Sequence, residues 1–174
     1  AGLRSLLDRP PARRGLRAAA LALAAGLLVL PLRPAAEAYA WGVQNINAMQ
    51  VHLGRWVARA TPPGAVLAVN DIGAVTYFGH RRIIDLMGLV TPDIVPVRRR
   101  GDAALLAYLE RACPDYLVIF PAWFPALAAR GELFRPVERV RLARNVVSGA
   151  DEMVVYETVW SRRDPAAPCA VPRS

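Results

Sequence analysis

The chain has no lysine. All 22 of its basic side chains are arginines, a bias we ascribe to the composition of the source genome rather than to a functional arginine code. It also lacks the short motifs that announce a familiar chemistry: there is no glycine-rich phosphate loop, no HExxH, no CxxC and no GxSxG. No cofactor and no metal site is implied. Histidine is scarce, and no Cys, Asp or Glu stands at ligand spacing beside His52, so that residue reads as solvent-facing or hydrogen-bonded. Cys113 and Cys169 are the two cysteines. They allow one bridge in an oxidising compartment or two unpaired thiols; Cys169 lies in a proline-rich tail and Cys113 ends a helix before Pro114.

What is present is a chain of 174 residues, 55% hydrophobic, long enough for one domain with a real core plus an appendage. The formal charge of +8 invites a nucleic-acid reading, but its distribution argues otherwise. Arg4, Arg9, Arg13, Arg14, Arg17 and Arg33 face only Asp8 in the first 33 residues, so most of the excess lies beside an apolar run. That pattern points to a membrane surface, not to a groove for phosphates, and no nucleic-acid partner is expected.

The apolar run, residues 18–32, is free of charge and as a helix covers about 22 Å, short of the roughly 30 Å hydrocarbon core. Snorkelling by Arg17 and Arg33 and the apolar flanks extend it, so residues 16–34 are expected to form a membrane helix after a basic cytoplasmic segment, residues 1–15. The competing reading is a signal peptide with Ala38-Tyr39-Ala40 as its cleavage-like triplet. Either way the arginines mark the cytoplasmic side, and the residues beyond the apolar run face outward. Leu3-Arg4-Ser5-Leu6-Leu7 before Pro10-Pro11 resembles the tail of an earlier element, which suggests the end of a longer protein.

Residues 35–60 read as a long amphipathic helix. Its stripe is Tyr39, Val43, Ile46, Leu53 and Val57, widened by Met49, Trp56 and Ala60, with Asn45, Asn47, Gln50 and His52 as polar members. Beyond Thr61 strands alternate with helices. Residues 66–69, 83–86 and 116–120 are short apolar runs suited to buried parallel strands side by side at a sheet centre. Residues 72–78, 101–111 and 123–130 are expected helices. Residues 135–142 and 151–160 alternate as antiparallel last strands. The expected fold is therefore α/β, a small mainly parallel sheet flanked by helices across residues 35–161, preceded by the membrane helix and the amphipathic helix. Residues 162–174 read as a loose tail.

The acidic candidates are Asp71, Asp85, Asp151 and Glu152. Asp71, after Asn70, and Asp85 end neighbouring strands, where open α/β sheets bind ligands. A carboxylate pair in a crevice is one reading. The other is structural: Asp71 caps the helix after the strand at residues 66–69, with Gly73 allowing close approach, and Asp85 holds the loop Met87-Gly88-Leu89. Arg81, Arg82 and Arg98-Arg99-Arg100 are either headgroup ligands or solvated turn charges. Trp123, in Trp123-Phe124-Pro125, is a sugar-stacking platform, a membrane-facing lip or a core residue.

Asn45-Ile46-Asn47-Ala48-Met49, Leu53-Gly54-Arg55-Trp56-Val57, Val69-Asn70-Asp71-Ile72-Gly73-Ala74, Tyr77-Phe78, Asp85-Leu86-Met87-Gly88-Leu89-Val90 and Asp151-Glu152-Met153-Val154-Val155-Tyr156-Glu157 carry a resemblance. The stretch 39–160 resembles the carboxyl-terminal extracytoplasmic domain of bacterial multi-pass membrane glycosyltransferases of the GT-C type, relatives of protein mannosyltransferases and aminoarabinose lipid transferases. The resemblance implies a bacterial inner-membrane protein whose partners are the membrane and, through the whole enzyme that takes sugars from polyprenyl-phosphate donors, a lipid-linked sugar or glycan acceptor. It implies that the catalytic acids belong to an amino-terminal region not in this chain, so no catalytic residue is carried over. Asn70, Asp71, Tyr77, Arg81, Arg82, Asp85 and Trp123 remain as candidate substrate-binding residues. The rival expectation is an independent tethered or secreted ligand-binding module without catalysis.

Overall fold

A computed structural model describes residues 11–162 of the chain, which fall into two compact units divided between Trp41 and Gly42. In the first unit, helix α1 (Pro11–Val29) leads through Leu30-Pro31 into α2 (Leu32–Ile46). Pro31 has no N–H to donate, yet Leu30 N donates to Gly26 O at 2.8 Å and Ala35 N to Pro31 O at 3.1 Å, so helical bonding is kept on both sides of it. Leu16, Leu21, Leu23, Leu27 and Leu28 are 65–73% exposed. By length and composition the helical stretch Gly15–Ala60 is able to cross a membrane. Most of the basic segment 1–15, and the tail 162–174 apart from residue 162, lie outside the described residues.

The second unit begins in the last turns of α2. Helical structure continues through a π-helical turn, Asn47–Val51, and α3, His52–Ala60. The wider π turn brings Met49, Gln50 and Val51 inward in succession, which a strict 3.6-residue repeat would not do. The buried stripe therefore starts at Asn45 and runs through Met49, Gln50, Leu53, Gly54 and Val57, while Tyr39 and Val43, expected in it, are exposed. The two expected polar members Asn45 and Gln50 are each only 1% exposed.

Strands β1 (Val66–Val69), β2 (Arg82–Asp85), β3 (Tyr116–Ile119), β4 (Phe134–Arg141) and β5 (Glu152–Thr158) form one sheet in the order β2-β1-β3-β5-β4. Helix α4 (Gly73–Gly79) joins β1 to β2. Helices α5 (Ile94–Arg98) and α6 (Asp102–Ala112) join β2 to β3, and α7 (Pro125–Ala128) comes after β3. The class is α/β, with helices flanking the sheet. β1 pairs in parallel with β2 and β3, whereas β5 pairs antiparallel with β3 and β4, so the sheet is mixed.

The expectation that residues 83–86 lie at the sheet centre is corrected: β2 is an edge strand. Arg82 is exposed and Ile83 and Ile84 only half-buried, which suits an edge, where charge blocks further pairing. The place beside β3 is taken by β5, whose Met153-Val154-Val155-Tyr156 are all buried. Period-two alternation then splits the core into two layers. Leu67, Val69, Val118, Met153 and Val155 pack with Met49, Leu53, Val57 and Val75 on one face. Ala68, Leu117, Ile119 and Val154 pack with Ile94, Leu105, Leu109 and Leu127 on the other. Each fully buried leucine or isoleucine contributes about 1.5–3 kcal/mol. On the first face α3 crosses α4 closely because residue 54 has no side chain: a Cβ there would stand 2.8 Å from Ala74 O and 3.0 Å from Phe78 Cβ.

Candidate functional site

The chain leaves β1 for β2 on one side and returns by α5 and α6 to β3 on the other, so the carboxyl ends of β1 and β3 form the topological switch point of the parallel part. Asn70 closes it. Its backbone N donates to Val118 O at 3.2 Å, and its side-chain Oδ1 accepts from Phe120 N at 3.2 Å. Asn70 is 5% exposed, and its Nδ2 is buried with no hydrogen-bond partner. Such an orphan donor costs about 1–3 kcal/mol, a penalty the rest of the unit has to offset.

Asp71, next in the chain, does not cap α4. The helix starts at Gly73 with Ile72 at its N-cap and no side-chain cap. The Asp71 carboxylate turns instead to the π turn, where Gln50 Nε2 donates to Oδ2 at 3.0 Å and also to Ser148 Oγ at 3.2 Å. Gly73 is exposed, and a Cβ on it would meet only Asp71 Oδ1 at 4.0 Å, so the close approach expected there is absent.

Ser148 belongs to the loop between β4 and β5, which sequence reasoning left unassigned. Asn145 Oδ1 accepts from Val147 N at 3.1 Å and Ser148 N at 2.8 Å, an Asx turn that shapes the loop from within. Asn45 then clamps it to α2: Oδ1 accepts from Val146 N at 2.8 Å and Nδ2 donates to Arg144 O at 2.9 Å. On the far side Trp123 Nε1 donates to Gly149 O at 3.0 Å, and its ring lies 5.4 Å from that of Phe120. A Cβ on residue 149 would stand 2.6 Å from the Trp123 ring and 2.9 Å from that of Phe120, so any other residue would push these rings aside. The structure thus links Asn70, Asp71 and Trp123 through Phe120, Gln50, Ser148 and Gly149. The signal that could have found Gln50 and Asn45 is a pair of amides on an otherwise apolar helical face.

Asp85 ends β2 fully buried. Its Oδ1 accepts from Met87 N at 2.8 Å and its Oδ2 from Val90 N at 2.9 Å, while its own N–H donates to Thr91 Oγ1 at 3.0 Å. It holds the loop after β2, and both of its oxygens are engaged there. Arg81 ties two helix ends together: Nη2 donates to Ala58 O and Thr61 O, Nη1 to Gly79 O and Nε to Thr61 Oγ1, at 2.8–3.1 Å. Arg82 opens the edge strand, and Tyr77 is exposed on α4 with its ring edge-on to Phe78. His52 meets Glu138 Oε1 at 3.3 Å, as a hydrogen-bonded surface histidine should. Cys113 Sγ donates to Glu110 O at 3.3 Å; its pairing with Cys169 lies outside the described residues.

Burial pushes the phenols of Tyr108, Tyr116 and Tyr156 above their ordinary range, which keeps them neutral. Among the described residues no three His, Cys, Asp or Glu side chains gather where they could hold a metal ion. A shallow depression of about 340 Å³ lies at the other end of the sheet, beside Gly131, Glu132 and the Arg135–Glu157 ion pair, away from the switch point.

No curated protein and no solved structure matches the chain. Residues 44–163 match the profile of a family described as a domain of unknown function (DUF8728). The match covers the folded α/β unit and more than half of the chain. The chain belongs to the DUF8728 family.

Proposed function

We propose that the chain is the membrane-tethered extracytoplasmic part of a bacterial glycosyltransferase that uses a polyprenyl-phosphate-linked sugar, and that it assists acceptor binding or closure of the site without performing chemistry itself. The observation that carries this reading is the state of the two acids at the strand ends. Asp85 spends both oxygens on backbone N–H groups, and Asp71 meets an amide donor. Neither is arranged as a paired acid and base. The exposed apolar helix supports the tether, and the arginines before it support an inner-membrane protein whose folded unit faces outward.

The test is transfer of sugar from a polyprenyl-phosphate donor by membranes carrying this chain alone and by membranes carrying the protein encoded by the uninterrupted reading frame. The proposal expects transfer from the second only, with loss of transfer when residues 42–162 are deleted. Transfer by this chain alone, or a reading frame without further membrane helices upstream, would overturn it.

A further inference from the structure

We propose that the carboxyl edge of the sheet in the second unit is a lipid-contacting surface, whose loop tips enter the interfacial layer of the bilayer. Three loops meet at that edge: residues 86–93 after β2, residues 120–124 after β3, and residues 142–151, which lead into β5 and lie there because β5 runs antiparallel to β3. They carry Leu89 (78% exposed), Val90 (60%), Trp123 (47%), Val146 (46%) and Val147 (54%). Single exposed apolar side chains are ordinary on a protein surface. Here five of the eight in the second unit gather at one end, with Val43 on α2, Tyr77 on α4 and Val159 at the opposite end as the described exceptions.

The tips are held outward by bonds within and beneath the loops. Asp85 fixes the backbone at Met87 and Val90, Asn145 and Asn45 fix residues 146–148, and the Trp123 indole is anchored to Gly149 O. The buried side chains of Asp85 and Asn45 thus hold the backbone of Val90 and Val146, with their apolar side chains left facing outward, an arrangement suited to a surface that meets something other than water. An indole with its N–H bonded and its ring half exposed suits the boundary between headgroups and acyl chains.

The occupant is identified by where the chain joins the unit. Asn45 and Gln50 bond to this same edge, and α3 then runs away from it to reach the start of β1. Asn45 and Gln50, near the start of the folded unit, therefore lie at the edge that carries the apolar tips. Arg98, Arg99, Arg100 and Arg144 are exposed beside it or on it, but so are Asp93, Asp102 and Asp151. With signs mixed, the contact is driven by apolar insertion and depends little on anionic lipid or salt.

The lipid contact rests on the tethered reading, and the test separates the two. The full chain is reconstituted in phosphatidylcholine vesicles with an environment-sensitive fluorescent amino acid at position 90, 147 or 159, and emission is compared with and without lipids brominated near the top of the acyl chain. Retention after carbonate washing is scored on the same samples; loss of the chain from the vesicles overturns the tether. With the chain retained, positions 90 and 147 are expected to lose about half of their emission and position 159 almost none. The loss should be the same when a third of the lipid is replaced by phosphatidylglycerol. Retained chain with positions 90 and 147 as unquenched as 159 overturns the lipid contact. That holds equally if those positions are shielded from aqueous iodide, which would mark a protein cover such as a second copy of the chain.

Discussion

Gln50 and Asp71 meet amide to carboxylate at 3.0 Å, joining a π turn of the first helix of the folded unit to the end of its first strand. The pairing is specific in sign. Gln50→Glu places a second carboxylate about 3 Å from the first, and like charges raise the pKa of the introduced group above its free value of about 4.3. The folded state is then penalised in full above the raised value. The penalty shrinks as pH falls below it and vanishes below about pH 4. Thermal unfolding of the full chain in detergent should show Gln50→Glu melting well below the parent at pH 7 and close to it at pH 4, whereas Gln50→Ala should be destabilised at both.

Asp71→Asn should be mild, because an amide oxygen can still accept from Gln50, and Asp71→Ala should cost about 1–2 kcal/mol through one unpaired N–H of a buried glutamine whose other bond, to Ser148, remains. Urea unfolding distinguishes the two. Equal losses would show that the charge itself matters.

Asp85 is the more sensitive position. Asp85→Ala orphans the N–H groups of Met87 and Val90 and should cost about 2–4 kcal/mol. Asp85→Asn keeps one acceptor and turns an amide N–H₂ toward the other donor, so it should fall between the alanine variant and the parent. Urea midpoints in that order are the expected outcome.

Arg81→Lys should destabilise nearly as much as Arg81→Ala, about 1–2 kcal/mol, because one ammonium cannot reach the carbonyls of Ala58, Thr61 and Gly79 together. If lysine restored the parental midpoint, only the charge at this position would be needed.

Asn45→Ala should free the loop between β4 and β5 without touching the sheet. Amide hydrogen exchange should speed up at Val146 and its neighbours while Val69 and Val118 stay protected. Uniform acceleration would mean that the clamp supports the whole unit.

The elements legible in the sequence are those decided by local pattern. Short unalternated apolar runs mark β1 and β3, alternation marks β4, and α6 is announced by Leu105, Tyr108 and Leu109; β5, expected to alternate, is instead buried in succession from Met153 to Tyr156 because it lies inside the sheet. The edge position of β2 escapes because its run Arg82-Ile83-Ile84-Asp85 differs little from a central one; what decides is that β5, far along the chain, takes the inner place. Asp85 is legible as a loop holder because an aspartate two residues before a backbone N–H is a local device. Asp71 is not, because its partner lies 21 residues back on a π turn that breaks the helical repeat, and the same break hides the burial of Asn45 and Gln50. Arg81 looks like a turn charge because the carbonyls it binds come from two helices.

The most direct test of the central claim, a tethered and outward-facing folded unit, is the fate of the chain expressed in bacteria behind an initiator methionine. Membranes are washed with carbonate, the retained chain is sequenced from its amino terminus, and spheroplasts are treated with protease. The account predicts an uncleaved chain that stays with the membrane and yields, from the outside, a resistant fragment containing residues 42–162. A soluble product beginning near Trp41, or a unit reached by protease only after lysis, would contradict it.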